Sequence, residues 1–243
     1  MSTSTTGIFS PGRVLALLAL AVAFAAISSL SVQSTDAPQV SHDGLVLDPD
    51  SDVALLYVKP DADFSVYEEF LMLEAYVAFK KNWQRDTKVG GRRVSNKDME
   101  KIKVEAAELL HESFKKELDE VGGYKFVDKA DDKVMILRPA LIDLDITAPD
   151  IPVAGRVTNY VASAGAATIY LELYDSVSGE ILARLVDRRN MQDYGHARWA
   201  TSVSNRADAA RMFKRWASLL RQGMDEQRKE AGLAPIKGAE ASK

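Results

Sequence analysis

The side chains best suited to chemistry are few and scattered. The chain has three histidines, His42, His111 and His196, and no two stand three or four residues apart. No pair therefore shares a helical face as zinc ligands do. Cysteine is absent, which removes thiolate nucleophiles, thiolate metal ligands and disulfides together. No serine sits in a G-x-S-x-G turn. Gly90-Gly91-Arg92-Arg93 places glycines beside cations but lacks the spacing of a phosphate loop. Asp143 and Asp145 share one strand face, with Glu172 on another strand. A hard cation wants six or more oxygens, so these carboxylates read as the wet side of a strand. No catalytic residue, cofactor or metal is expected.

One segment gathers mixed functional groups: MQDYGHARW, residues 191–199. Tyr194, His196 and Arg198 are the expected ligand or partner contacts there, on a loop that follows a strand. A base at His196 would need a neighbour to hold its tautomer, and none is visible in the sequence. On the strand before that loop, Arg184 and Arg188 share parity, opposite Leu185 and Asp187. They could form a small basic row that meets a ligand or partner, the alternative being an ordinary solvated strand face.

The elements that must position these groups follow from periodicity. Short strands are expected at Val53–Val58 and Tyr124–Val127, a long one at Lys133–Thr147, and a hairpin at Ala166–Tyr174 and Glu180–Arg189 turning on Asp175 to Gly179. Phe70–Lys80 alternates and is read as a strand, although its Glu, Leu, Met and Ala content also suits a helix. In the long strand Ile142, Leu144 and Ile146 point inward. Pro139 implies an edge or a bulge there, and an edge would be open to strand addition. One helix starts at Ser95, with Asp98 completing a capping box, and runs to about Glu120 before Gly122-Gly123. A second is capped by Asn205 and buries Ala209, Phe213, Trp216, Ala217, Leu220 and Met224. The expected fold is α+β: a mostly antiparallel sheet of about five to six strands, with both helices on one face.

Ahead of this body stands Arg13, then fourteen apolar residues, Val14 to Ile27, then a run of small residues. These are the parts of a secretory signal. The apolar helix would be about 21 Å long, shorter than a bilayer core of about 30 Å. Counting on to Val32 lengthens it, so both a cleaved signal and a retained N-terminal anchor helix fit. Residues 1–34 are thus a signal peptide or membrane anchor, with membrane association through residues 14–32 in the second case. Residues 35–52 read as a linker, 53–230 as a single α+β domain and 231–243 as a flexible tail. Charge is uneven: ten acids face one lysine between Asp36 and Glu74, whereas eleven Lys and Arg face six acids between Arg184 and Glu230. Such asymmetry steers partners. An export signal with a net charge of −4 disfavours nucleic acid.

Several short motifs occur in a telling order: Asp43-Gly44-Leu45, then Tyr57-Val58-Lys59-Pro60 and Tyr67, then Leu137-Arg138-Pro139-Ala140. Tyr174-Asp175-Ser176-x-Ser178-Gly179-Glu180 follows, then Val186-Asp187-Arg188-Arg189, and Phe213 with Trp216-Ala217. Over residues 43 to 224 the chain resembles the bacterial family known as domain of unknown function 3313. The resemblance implies an exported envelope protein. Many members are lipoproteins, and this chain lacks the cysteine they would use. The family supplies no chemistry. The expected function is a non-catalytic binding or assembly module of the periplasm or cell envelope, contacting another envelope protein. A small-ligand carrier with a pocket lined by Tyr160, Tyr170 and Trp199, or an envelope hydrolase using the loop 190–204, are the alternatives.

Overall fold

A computed structural model describes residues 37–89, 92–146, 165–190 and 202–238. Every element below belongs to the unit Gln39–Lys243. The expected leader and the contact residues Tyr194, His196 and Arg198 lie outside the described residues, as do Tyr160 and Trp199.

The first half of the unit contributes β1 (Val46–Leu47), β2 (Leu55–Val58), β3 (Glu69–Met72), β4 (Tyr76–Phe79), the short α1 (Trp83–Asp86), β5 (Lys88–Val89) and β6 (Arg92–Arg93). There follow α2 (Asn96–Lys115), β7 (Lys125–Phe126), β8 (Val134–Asp145), β9 (Ala166–Asp175), β10 (Ile181–Asn190) and α3 (Ser202–Glu230). Eight strands form one sheet in the order β1-β2-β10-β9-β8-β3-β7, with β4 continuing along β8 beyond β3. The α+β class is as expected, but the sheet is larger and mixed. β3 and β4 run parallel to β8, and β7 runs parallel to β3. The reason is α2: it lies between β4 and β7 in the chain, and a helical crossover returns the next strand in the same direction. β5 and β6 pair only with each other, which makes Arg92-Arg93 part of a small ladder.

The strand expected over Phe70–Lys80 is two strands, broken at Leu73–Ala75. That break explains Pro139, which sits in the interior of a central strand and not at an edge. The Leu73 amide donates to the Leu137 carbonyl, so the polar groups of Leu137 face β3. Two residues on, Pro139 turns its missing donor to the same side, between Met72↔Leu137 and Tyr76↔Ala140, where no strand requires it. With β9 paired along its other side, β8 offers no edge for strand addition. A bulge at Asp143, whose φ is 51°, also shifts the inward phase. Leu141 and Leu144 are buried, while Ile142 is only half-buried.

Helix α2 begins as expected. The Asp98 amide donates to Ser95 Oγ (3.2 Å), and the Ser95 amide donates to Asp98 Oδ2 (3.1 Å). Its last stretch, Lys116–Val121, widens into a π turn that carries Glu117 inward. Helix α3 begins at Ser202, three residues before the expected cap at Asn205. Phe114 of α2 and Phe213 and Trp216 of α3 share one core with Leu137, Leu141, Ile169 and Leu171 of the sheet.

Polar contacts then fix α3 along its length. Trp216 Nε1 donates to buried Asp187 Oδ2 (2.8 Å). Arg221 reaches Glu117 (3.1 Å) and Asp225 (2.8 Å), and Tyr124 donates its hydroxyl to Asp225 (2.8 Å). Arg228 donates to the Ser65 carbonyl (2.8 Å).

Two expected flexible stretches belong to the body. Within the proposed linker, Leu45 is buried and Leu47 donates its amide to the Gln39 carbonyl (2.9 Å). Of the tail, Ile236 packs on the core and Gly238 lies against Val121.

Asp187 is the contact with the most to lose. It also accepts from Arg189 Nε (2.6 Å) and the Ala54 amide (3.2 Å). Asp187→Ala leaves three donors short of an acceptor and is expected to cost about 2–4 kcal/mol in urea unfolding. A cost below about 0.5 kcal/mol would show that the helix is held by its apolar face alone.

Candidate functional site

Of the expected contact residues, Arg184 and Arg188 are described, and they do not form a free basic row. Register places Arg184, Glu172 and Arg138 side by side across β10, β9 and β8, on the face away from the helices. Arg184 donates Nε and Nη2 to Glu172 Oε1, both at 3.1 Å, and Nη1 to Asp43 Oδ1 at 3.1 Å. Its guanidinium also lies 5.9 Å from the centre of the Tyr170 ring. Glu172 accepts from the hydroxyls of Tyr170 (3.0 Å) and Tyr174 (2.8 Å) and from Arg138 (3.3 Å). Arg188 is exposed and donates Nη1 to Thr168 Oγ1 at 3.4 Å.

The electrostatics follow from these partners. The Arg184 guanidinium, helped by the Ser41 hydroxyl, holds the Asp43 carboxyl well below the usual carboxylate range. Burial would raise the Glu172 carboxyl, but the two phenols and Arg184 outweigh it and lower it. Asp43 in turn raises Arg184. The cluster is a strap: it ties the Gln39–Leu47 segment to a strand far along the chain. Each charge in it is spent internally, so it offers little to a partner beyond the exposed guanidinium of Arg138. Among the described residues no cluster of acids and histidines could hold a metal. Asp145 is taken by Lys80 (2.9 Å) and does not join Glu172.

The other face presents a different surface. Seven strands in sequence at about 4.8 Å spacing span about 29 Å, whereas two helices at 8–10 Å separation cover about 20 Å. The pairing of Trp216 with Asp187 seats α3 over β10, so the helix side of β1 and β2 is left open. The result is a groove of about 900 Å³. Its floor is Leu56, Val58, Leu171, Leu173, Ala183 and Leu185. One wall is the stretch of α3 from Leu219 to Glu230, and the other is Val46 to Val53. The floor is aliphatic, so an occupant would be held by burial of apolar surface rather than by directed bonds. Among the described residues the rim carries Asp48, Asp50, Asp52, Asp61, Glu226 and Glu230 against the single base Lys59, itself paired to Glu180 at 2.5 Å.

Sequence reasoning missed this site because the acids at 48–52 looked like linker. The usable signal was Val53–Val58, an apolar run beside an acidic one.

The model of the family described as a protein of unknown function (DUF3313) matches residues 38–220. The chain belongs to the DUF3313 family. None of the curated proteins matches this DUF3313 protein. Among solved structures it is similar to the PelC dodecamer from Paraburkholderia phytofirmans, with 9% identity, 68% of this chain and 96% of that chain covered and a TM-score of 0.34. It is also similar to a DUF330-family protein from Xanthomonas campestris, with 11% identity, 72% and 93% covered and a TM-score of 0.33. Most of the motif residues that marked the resemblance fall on the scaffold, while Val58, Lys59 and Pro60 also line the groove. Asp175 Oδ1 accepts from the Ser178 amide (2.7 Å), and Tyr67 donates its hydroxyl to Asp175 Oδ2 (2.9 Å).

The strap has a pH signature. Both carboxyls are lowered in the folded state, so their stabilisation is complete above about pH 5 and is lost as pH falls through the folded-state values. Arg184→Ala is expected to reduce unfolding free energy at neutral pH by about 1–3 kcal/mol. It should also flatten the further loss between about pH 5 and about pH 2. Urea titrations across that range check this; parallel acid profiles for the variant and the parent would exclude the strap as the source.

Proposed function

We propose that this DUF3313 protein is an exported, non-catalytic binding module of the bacterial cell envelope, and that it holds an apolar segment of another envelope protein in the groove between α3 and β2. The groove carries the reading. It is apolar in its floor, it lies at the end of the sheet, and its helical wall from Leu219 to Glu230 is about 17 Å long. A floor of aliphatic side chains does not supply the nucleophile, base and orienter that a hydrolase needs. The basic segment of the chain supports a surface contact less well. Arg206 pairs with Glu112, Arg211 with Asp208, and Lys214 approaches Glu117 at 3.9 Å.

Export is supported by Arg13 and the apolar run Val14–Ile27. No helix among the described residues is long and apolar enough to cross a membrane. Membrane attachment therefore belongs to the reading in which residues 14–32 are retained. Cleavage between Ser29 and Ser34 is the expected processing. Mass measurement of the mature N-terminus checks it, and a peptide that begins before Val14 would mean retention.

The groove is tested by site-specific photocrosslinking in intact cells. A photoreactive residue at Gln222, exposed beside the groove, is expected to trap one discrete envelope protein. The same group at Lys103 on α2 should not. Identical adducts from both positions, or none from Gln222, would remove the groove as the contact surface.

A further inference from the structure

We infer that the segment received by the groove is a cationic amphipathic helix, an inference that rests on the binding reading above and names its partner chemistry. Three independent features converge on it.

The first is charge. Six carboxylates border an aliphatic floor, and among the described residues none of the six is in an ion pair. Five of them, Asp50, Asp52, Asp61, Glu226 and Glu230, are exposed. The lone rim base, Lys59, is occupied by Glu180. Like charges held around an apolar trough repel one another and are relieved by a cationic occupant. An anionic lipid or acidic peptide would add to the repulsion.

The second is shape. The α3 wall from Leu219 to Glu230 is about 17 Å long, which equals about three turns of an incoming helix. A helix that shows apolar residues at i, i+3, i+4 and i+7 to such a trough leaves its lysines and arginines at the rim.

The third is Gly223. It stands in the middle of α3 and lines the groove. A glycine there weakens a helix relative to alanine, yet no internal contact asks for it: a methyl group added at Gly223 would meet nothing within 4 Å. The missing side chain leaves a notch on the groove wall. Small residues at a crossing let two helices approach to the short end of the usual interaxial range.

The test uses two labelled peptides of about eighteen residues with the same leucine stripe, one with lysine and one with glutamate at every polar position. A neutral apolar dye serves as a third probe. Fluorescence anisotropy is expected to show the lysine peptide binding at least about tenfold more tightly than the glutamate peptide, with affinity falling as salt rises. Paired substitution of the exposed acids, Asp50→Lys with Glu226→Lys, should weaken the lysine peptide about tenfold and leave the dye unaffected. Gly223→Leu should fill the notch and weaken the lysine peptide about tenfold without lowering the melting temperature, because the space is open.

Equal binding of the two peptides, both blocked by Gly223→Leu, would overturn the cationic helix and keep the groove. Dye binding without either peptide would overturn the helix in favour of a small apolar ligand. Failure of all three probes would remove the binding reading itself.

Discussion

A carboxylate buried beneath a helix decides how this molecule is laid out. Asp187 comes from the middle of β10 and gathers the indole of Trp216, the guanidinium of Arg189 and the amide of Ala54. A buried charge is tolerated only while its partners stay in place. The position of α3 over β10 is therefore set by directed bonds as well as by hydrophobic contact, which alone would let the helix slide. The ties at Arg221 and Arg228 then hold the rest of α3 in line. With α3 seated over β10 and α2 reaching Phe126 on the far edge strand, β1 and β2 have no helix over that side. The groove follows from strand spacing and helix width once α3 is pinned.

The two faces of the sheet handle charge in opposite ways. Away from the helices, Arg184 and Arg138 meet Glu172 and Asp43, and two tyrosine hydroxyls complete the bonding of Glu172. Opposite charges are neighbours there, and the product is a strap. On the groove side, carboxylates surround aliphatic carbon with one committed lysine among them. The asymmetry seen along the chain, acids early and bases late, resolves in space into one neutralised face and one electronegative trough. A small net charge is compatible with strong local fields of this kind.

Much of the fold was legible because it is local. The Ser95–Asp98 box, the turn at Asp175–Gly179 and the hairpin strands depend on residues a few positions apart, and they occur where pattern places them. What escaped is non-local or depends on phase. Parallel pairing of β3 and β4 with β8 is decided by where α2 returns the chain, which alternation does not encode. The bulge at Asp143 moves the inward face by one residue, and a strictly alternating stretch gives no warning of it. Arg184 read as a free cation because its partner Asp43 is 141 residues away. The acids beside β2 looked like linker because nothing local shows that the preceding Leu45 is buried.

The residues behind the family resemblance and those that line the groove are largely different sets. Tyr67 and Asp175 bind each other, Ser176 accepts the Asp131 amide, and Asp187 holds Trp216: these are scaffold bonds. The groove wall is built from Leu219 to Glu230 and the acids at 48–52, which lie outside those motifs. A scaffold fixed by directed bonds can keep its geometry while the side chains of an open trough change, because those side chains contribute little to holding the sheet and helices together. Substitutions at Asp50, Gly223 and Glu226 are therefore expected to spare the scaffold, and those at Asp187 and Glu172 to weaken it.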